Sequence, residues 1–226
     1  VLTSVLSRLK AMLDVRADPP GVAGCLSADP LLAPLLKRSP GLRVPGAFDG
    51  FECGIRAILG QQVSVRAATT LAGRLANRFG NEHATPYELI GTAFPTSRVL
   101  ADASAADLRA LGLTTRRAQT IKSFANVVAE GSIRLDPGAD PLRVRAVLLA
   151  VPGIGDWTVE YIVMRALGWP DAFPAGDLGL VKASGLSPAE LRIRADRWRP
   201  WRSYAAILLW QSLEGPGDLR QNGSHR

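Results

Sequence analysis

The sequence predicts an all-α protein, and three observations carry that prediction. Apolar residues recur at helical spacing along most of the chain. No stretch alternates as a half-buried strand would, and no repeat period is present. Glycine, proline and Asp-Pro pairs punctuate the helical stretches.

Residues 3–14 read as an amphipathic helix with Val5, Leu6, Leu9, Met12 and Leu13 on one face. Short helices are expected around 19–27 and 29–38, followed by an irregular connection from Ser39 to Gly46. A long helix begins near Phe48 and runs to about Leu59. Gly60-Gln61-Gln62 interrupts it, and another covers roughly 64–79 before Gly80. Pro86–Ile90 and Ala105–Leu111 read as short helices, the second capped by Ser104. Thr114–Glu130 is a helix stopped by Gly131. Further helices are expected at about 141–150, 156–167, 178–185, 188–196 and 201–213. The tail 215–226, rich in Gly and polar residues, reads as disordered.

With 226 residues the chain is long enough for a sizeable core, and 47% hydrophobic with 21% charged residues is an ordinary globular balance. The net charge of +7, carried mostly by arginine, favours a polyanionic partner, nucleic acid before membrane. A merely basic surface is the competing explanation. Cys25 and Cys53 stand far apart without a C-x-x-C and read as buried, reduced thiols of a cytoplasmic protein. No apolar run reaches membrane-span length, and no signal-peptide layout precedes the first helix. A chain that starts at Val1 rather than Met is expected to be a fragment or a processed form.

One stretch, Leu148–Tyr161 (L-L-A-V-P-G-I-G-D-W-T-V-E-Y), organises the rest. An apolar helical run stops at Pro152, turns through Gly153-Ile154-Gly155 and restarts as a second helix. Two glycines around one apolar residue make a tight turn whose backbone a phosphate can approach closely. The second helix opens there, so its unsatisfied N–H groups favour an anion. Ile154 is expected to plug the space between the helices. This is the pattern of a helix-hairpin-helix, which grips DNA phosphate without reading sequence. An ordinary αα-turn uses the same glycines, so the hairpin alone leaves both readings open.

Four ordered blocks lead further: Gly41-Leu-Arg-Val-Pro-Gly-Ala-Phe-Asp49, Arg56-Ala-Ile-Leu-Gly-Gln-Gln-Val-Ser-Val65, Pro152-Gly-Ile-Gly-Asp-Trp-Thr158 and Arg197-Trp-Arg-Pro-Trp-Arg-Ser-Tyr204. With Asp177 downstream of the hairpin, they resemble the helix-hairpin-helix DNA glycosylase superfamily. Within it they resemble the branch of bacterial 3-methyladenine DNA glycosylase II (AlkA), including the glycosylase half of Ada–AlkA fusions. The resemblance spans roughly residues 5–213. It implies two lobes with a central cleft: one of residues 48–168, the other of 1–47 plus 169–214. It also implies base-excision repair of alkylated purines by a monomer acting on duplex DNA, in a bacterial cytoplasm and at the nucleoid. That branch normally carries a mixed α/β domain before this point, which is expected to be absent here. Two cysteines exclude the four-Cys iron–sulfur cluster that some members of the superfamily carry.

The resemblance assigns roles to residues. Asp177 is the expected catalytic carboxylate, stabilising positive charge on the sugar and orienting or deprotonating water. It also suits the N-cap of a helix starting at Leu178, and the two roles coexist. Trp157 stands where strand-cutting relatives carry a lysine nucleophile, which implies a monofunctional enzyme without lyase activity. Trp157, Tyr161 and Trp201 are the expected base pocket, since electron-rich rings attract a flipped, positively charged purine. Trp198 and Trp210 read as core aromatics. By the resemblance, Gln61 belongs to the Gly-Gln pair of the motif and Gln62 occupies the wedge position that fills the gap left by a flipped base, where an apolar leucine is the usual pattern; two glutamines capping a kinked helix is the alternative. Gly153, Ile154 and Gly155 are the expected phosphate contacts. The resemblance also implies a structural Na⁺ or K⁺ at the backbone of Leu149, Val151 and Ile154. No catalytic metal or organic cofactor is expected, because no carboxylate cluster or His-rich motif is present. His83 and His225 read as loop and tail residues. Arg192, Arg194, Arg197, Arg199 and Arg202 form a basic run, some of it expected on phosphate and the rest a solvated face. Two rival functions stay open: a non-catalytic damage-binding module, and a glycosylase for another base such as adenine or uracil.

Overall fold

The computed structural model describes residues 2–87 and 91–213. In chain order its helices are α1 (Leu2–Met12), α2 (Pro19–Leu26), α3 (Ala33–Arg38), α4 (Gly50–Leu59), α5 (Val65–Phe79), α6 (Ser97–Asp102) and α7 (Ala105–Ala110). Then come α8 (Thr115–Ala129), α9 (Pro141–Leu149), α10 (Asp156–Ala166), α11 (Leu178–Ser184), α12 (Pro188–Ala195) and α13 (Arg202–Leu213). The helices form two units: Asp49–Leu167 is one, and the chain before and after it supplies the other.

Starts of helices in the inner unit follow from capping residues. Asp49 accepts the Glu52 N–H at 2.9 Å, Ser64 that of Ala67 at 3.2 Å and Ser104 that of Asp107 at 3.0 Å. Thr114 accepts the Arg117 N–H at 3.2 Å to open α8. The core lies where α4 meets α8 and α10, with Ile55, Ile58, Ile121, Phe124, Ile162 and Val163 fully buried. Phe51 stacks on Phe124 with centroids 5.5 Å apart and planes 5° apart. A β-carbon at Gly54 would collide with that Phe124 ring, so this glycine lets α4 and α8 approach.

The outer unit packs α13 against α3 and α11 around Leu26, Leu32, Leu180, Leu191 and Trp198, all fully buried. Asp29, itself buried, ties the unit together. It accepts Arg194 Nε at 2.9 Å, Arg194 Nη2 at 2.5 Å, Trp198 Nε1 at 2.8 Å and the Leu31 amide at 2.8 Å. Burial alone raises the Asp29 carboxyl, but bonds from Arg194, Trp198 and Leu31 outweigh it and hold the group at about 2. Asp14 likewise holds Tyr204 Oη at 2.8 Å and the Val44 amide at 3.0 Å.

Several expectations are corrected. Asn81–Glu82 and Thr92–Ala93 form a two-residue antiparallel ladder where no strand was expected; two residues are too short for an alternating pattern to register. α6 was missed for a related reason, since six residues hold less than two turns, although Thr96 caps it. Residues 29–32 are a turn rather than helix, because the Asp29 carboxylate captures the Leu31 amide. The apolar face expected for residues 3–14 is only partly covered: Val5, Leu6 and Leu13, the last just beyond α1, are exposed, while Leu9 and Met12 are half-buried. Cys25 and Cys53 are free thiols but half-buried. Burial pushes the Cys53 thiol up to about 11, so it stays protonated at neutral pH. The short helix expected at Pro86–Ile90 and the tail 215–226 with His225 fall partly or wholly outside the described residues. No helix among those residues is long and apolar enough to cross a membrane.

Asp29 generates a pH prediction. Its carboxyl sits at about 2 in the fold against an ordinary 3.8, so its contribution is complete above the ordinary value and is lost as pH falls through the folded one. Asp29→Asn is expected to lower the urea midpoint at neutral pH, with the gap to wild type closing between about pH 4 and pH 2. Urea titrations across that range read it.

Candidate functional site

The hairpin is built by residues that leave the backbone no alternative. Asp140 caps α9, accepting the amides of Leu142 at 2.9 Å and Arg143 at 3.4 Å. After α9, the turn closes with Ile154 N–H on Val151 O at 3.1 Å, and Ile154 is buried. Gly153 has φ +89°, and a β-carbon there would overlap Thr120 Oγ1. Thr120 holds the turn from beneath, donating to Pro152 O at 3.0 Å. Arg145 pairs with the buried Glu160 at 2.5 Å, joining α9 to α10.

Gly155 differs from Gly153. Nothing lies within 4 Å of a β-carbon built on it, and as the N-cap of α10 it supplies no side-chain bond. The fold therefore does not need glycine at 155, and the first amides of α10 lack the cap that every neighbouring helix in this unit has except α10 itself. Such a helix start suits an anion. Asp156 puts an acid in the same turn, which suits the helix dipole and opposes a phosphate.

A cavity of about 430 Å³ adjoins this turn, lined by Gln61, Gln62, Arg116, Arg117, Gly155 and Trp157 among others. The two glutamines part company there. Gln61 turns its amide onto Gly153 O at 3.1 Å and Thr158 Oγ1 at 3.0 Å. Gln62 is exposed and takes φ +55°, a left-handed backbone that is uncommon outside glycine. Trp157 stacks on Tyr161 at 5.3 Å with planes 16° apart, and Arg165 lies 5.8 Å from the Tyr161 ring centre. Tyr161 thus backs Trp157 and does not itself line the cavity. Burial pushes its phenol above the ordinary value.

Asp177 and Trp201 belong to the outer unit. Asp177 caps α11, its Oδ1 accepting the Leu180 amide at 3.0 Å, and the same oxygen accepts Trp210 Nε1 at 2.8 Å. Trp210 is therefore half-buried and polar-bonded, a correction to its expected role as a plain core aromatic; Trp198 is the core residue. Trp201 meets Tyr204 edge-on at 5.6 Å. The basic run is largely committed. Arg194 serves Asp29, while Arg199 at 2.5 Å and Arg202 at 2.6 Å and 2.9 Å grip the buried Asp171. Arg192 and Arg197 are exposed. Among the described residues no group of three His, Cys, Asp or Glu side chains could hold a metal ion.

Sequence reasoning passed over Thr120 and Arg117 and gave Trp210 only a core role. Trp210 lies 33 residues from Asp177, and no local pattern connects them. Arg117 did leave a signal: Arg116 and Arg117 occupy the first turn of α8, where a cation opposes the helix dipole. Arg117 stays there because Nη2 donates to Gln61 O at 2.5 Å.

Comparison with known proteins accords with this geometry. The family model described as HhH-GPD superfamily base excision DNA repair protein matches residues 55–186. An AlkA N-terminal domain model matches residues 1–49, which corrects the expectation that nothing of that domain is present; the matched segment holds α1, α2 and α3. A probable bifunctional transcriptional activator/DNA repair enzyme AlkA of Mycobacterium tuberculosis is 42% identical over 95% of this chain and 44% of its own length. The chain thus spans less than half of that relative. DNA-3-methyladenine glycosylase 2 of Escherichia coli is 37% identical over 93% of this chain and 72% of its own. Among solved structures, a 3-methyladenine DNA-glycosylase from Archaeoglobus fulgidus superposes with TM-score 0.74 at 26% identity, covering 92% of this chain and 74% of its own.

The two hairpin glycines separate by experiment. Gly153→Ala is expected to cost about 1–3 kcal/mol or more, from a left-handed backbone and the overlap with Thr120. Gly155→Ala should stay within about 0.5 kcal/mol of wild type in the same urea melts.

Proposed function

The chain belongs to the HhH-GPD superfamily of base excision DNA repair proteins, and from that premise we propose that it is a monofunctional DNA glycosylase. It releases alkylated purines such as 3-methyladenine from duplex DNA, acting as a monomer. One observation carries the reading: a single cavity is lined by an uncapped helix start, a residue held out in left-handed backbone, and an indole backed by a second ring. Those are the parts needed to grip a phosphate, fill a gap and stack a base.

In this scheme the amides of Gly153 and Gly155 and the start of α10 hold a phosphate beside the lesion, while the Ile154 amide stays on Val151 O. Gln62 enters the gap left by the flipped nucleotide. Trp157, stiffened by Tyr161, stacks on the alkylated purine, whose positive charge is attracted to the ring face. The C1′–N bond breaks with its electron pair going to the base, which leaves neutral and needs no strong acid. Asp177 stabilises the positive charge that builds on the sugar. Water oxygen then bonds C1′, and its proton passes to the Asp177 carboxylate or to solvent. The bonds from Leu180 N and Trp210 Nε1 hold that carboxylate in a fixed orientation. Trp157 has no amine, so no Schiff base forms and the strand stays intact.

The backbone oxygens of Leu149, Val151 and Ile154 are neutral donors of the kind that suit a monovalent cation. Val151 O also accepts the Ile154 amide at 3.1 Å, which leaves its second lone pair for such an ion. A Na⁺ or K⁺ there would add positive charge beside the phosphate. Support for alkylated purines as substrates comes from two relatives, DNA-3-methyladenine glycosylase 2 of Escherichia coli and a 3-methyladenine DNA-glycosylase from Archaeoglobus fulgidus.

Methylated duplex DNA incubated with wild type and Asp177→Asn tests the proposal. Wild type is expected to release 3-methyladenine and leave strand breaks only after alkali. Asp177→Asn, which preserves a cap, should release base about 10²–10³-fold more slowly with little loss of stability. Binding to abasic-site DNA without any base release would leave a damage-binding module instead, and release of adenine or uracil would move the specificity.

A further inference from the structure

Gln61 and Gln62 are adjacent and chemically identical, yet the fold gives them opposite tasks. Gln61 is drawn inward from both ends. Its amide bridges Gly153 O and Thr158 Oγ1, spanning the hairpin turn and the first turn of α10. Its backbone carbonyl accepts Arg117 Nη2 at 2.5 Å, a charge-assisted bond from the start of α8. Gln62 follows directly at φ +55°, a conformation that persists only where its surroundings over-determine it. The same α8 carries Thr120, which supports the turn through Pro152 O and fills the space under Gly153.

We propose that Arg117 and Gln61 are positioning residues that latch the residue-62 backbone to the phosphate-gripping turn. The latch rests on the glycosylase reading above. Gripping the strand and presenting Gln62 to a gap are then one rigid arrangement rather than two separate contacts. The side-chain chemistry fits the task. The carboxamide at 61 donates to both Gly153 O and Thr158 Oγ1 from one nitrogen without adding charge; a carboxylate would turn lone pairs on the Gly153 carbonyl. Arg117 accepts an electrostatically adverse position at a helix start because its partner is a fixed carbonyl. Gln61 itself never enters the gap.

Arg117→Met, Gln61→Met and the double variant test this. Affinities are measured for a duplex carrying an abasic-site analogue and for the matched undamaged duplex, each over a range of salt. 2-Aminopurine opposite the analogue reports whether residue 62 enters the gap. The latch predicts that each single variant loses about fivefold or more of the preference for abasic DNA, and that the double loses no more than the worse single. It also predicts an unchanged salt slope on undamaged DNA and a diminished 2-aminopurine response. Arg117→Lys, which keeps a charged donor, should retain more of the preference than Arg117→Met and guards against a fold defect. Additive losses would overturn the latch. So would a salt slope reduced by about one in Arg117→Met with the preference intact, because Arg117 would then be a phosphate contact. A wild type that does not prefer abasic DNA would sink the glycosylase reading and the latch together, a result distinct from discrimination without coupling.

Discussion

Gly153 has a left-handed backbone and no space for a β-carbon above Thr120, so the turn between α9 and α10 closes only on glycine. Much else hangs on that closure. It seats Ile154 in the core and fixes Gly153 O, the acceptor that orients Gln61. It also starts α10 on a glycine N-cap that supplies no side-chain hydrogen bond. The Arg145–Glu160 pair then holds the helices that flank the turn. A buried pair of this kind gives little net stability, but losing one partner would strand a charge. Its value is geometric.

The outer unit solves a different problem, how to keep carboxylates fixed in a protein with a strong excess of arginine. Asp29 and Asp171 each sit among arginine donors that replace lost hydration. Three arginines of the 192–202 run are spent in this way, and with Trp198 they brace the segment that carries Trp201. Asp177 takes two neutral donors, the Leu180 amide of its own helix and the Trp210 indole, which fix the direction of Oδ1.

How much of this the chain showed in advance depended on whether the signal was local. The hairpin, its plug and the cap at Ser104 are written within a few residues, and each stands where local reasoning put it. Asp177 as a cap was legible from Gly-Asp-Leu; Trp210 as its donor was not, because that contact is made by the packing of α11 on α13. The pair at 61 and 62 shows the limit most clearly. The resemblance set Gln62 at the wedge, but nothing local showed what Gln61 does; the backbone angle at 62 and the distant Arg117 show how their tasks divide. The apolar stripe of α1 misled in the other direction, since periodicity reports a helix face but not what covers it.

The account places the nucleic-acid contact at the hairpin turn and the residue-62 backbone rather than on the arginine run. Backbone amide NMR during titration with a short duplex containing an abasic-site analogue tests that directly. The amides of Gln61, Gln62 and Gly153 to Thr158, with the Trp157 indole, are predicted to shift together at the same DNA concentration. Shifts confined to Arg192 and Arg197 and their neighbours, with the hairpin unmoved, would contradict it.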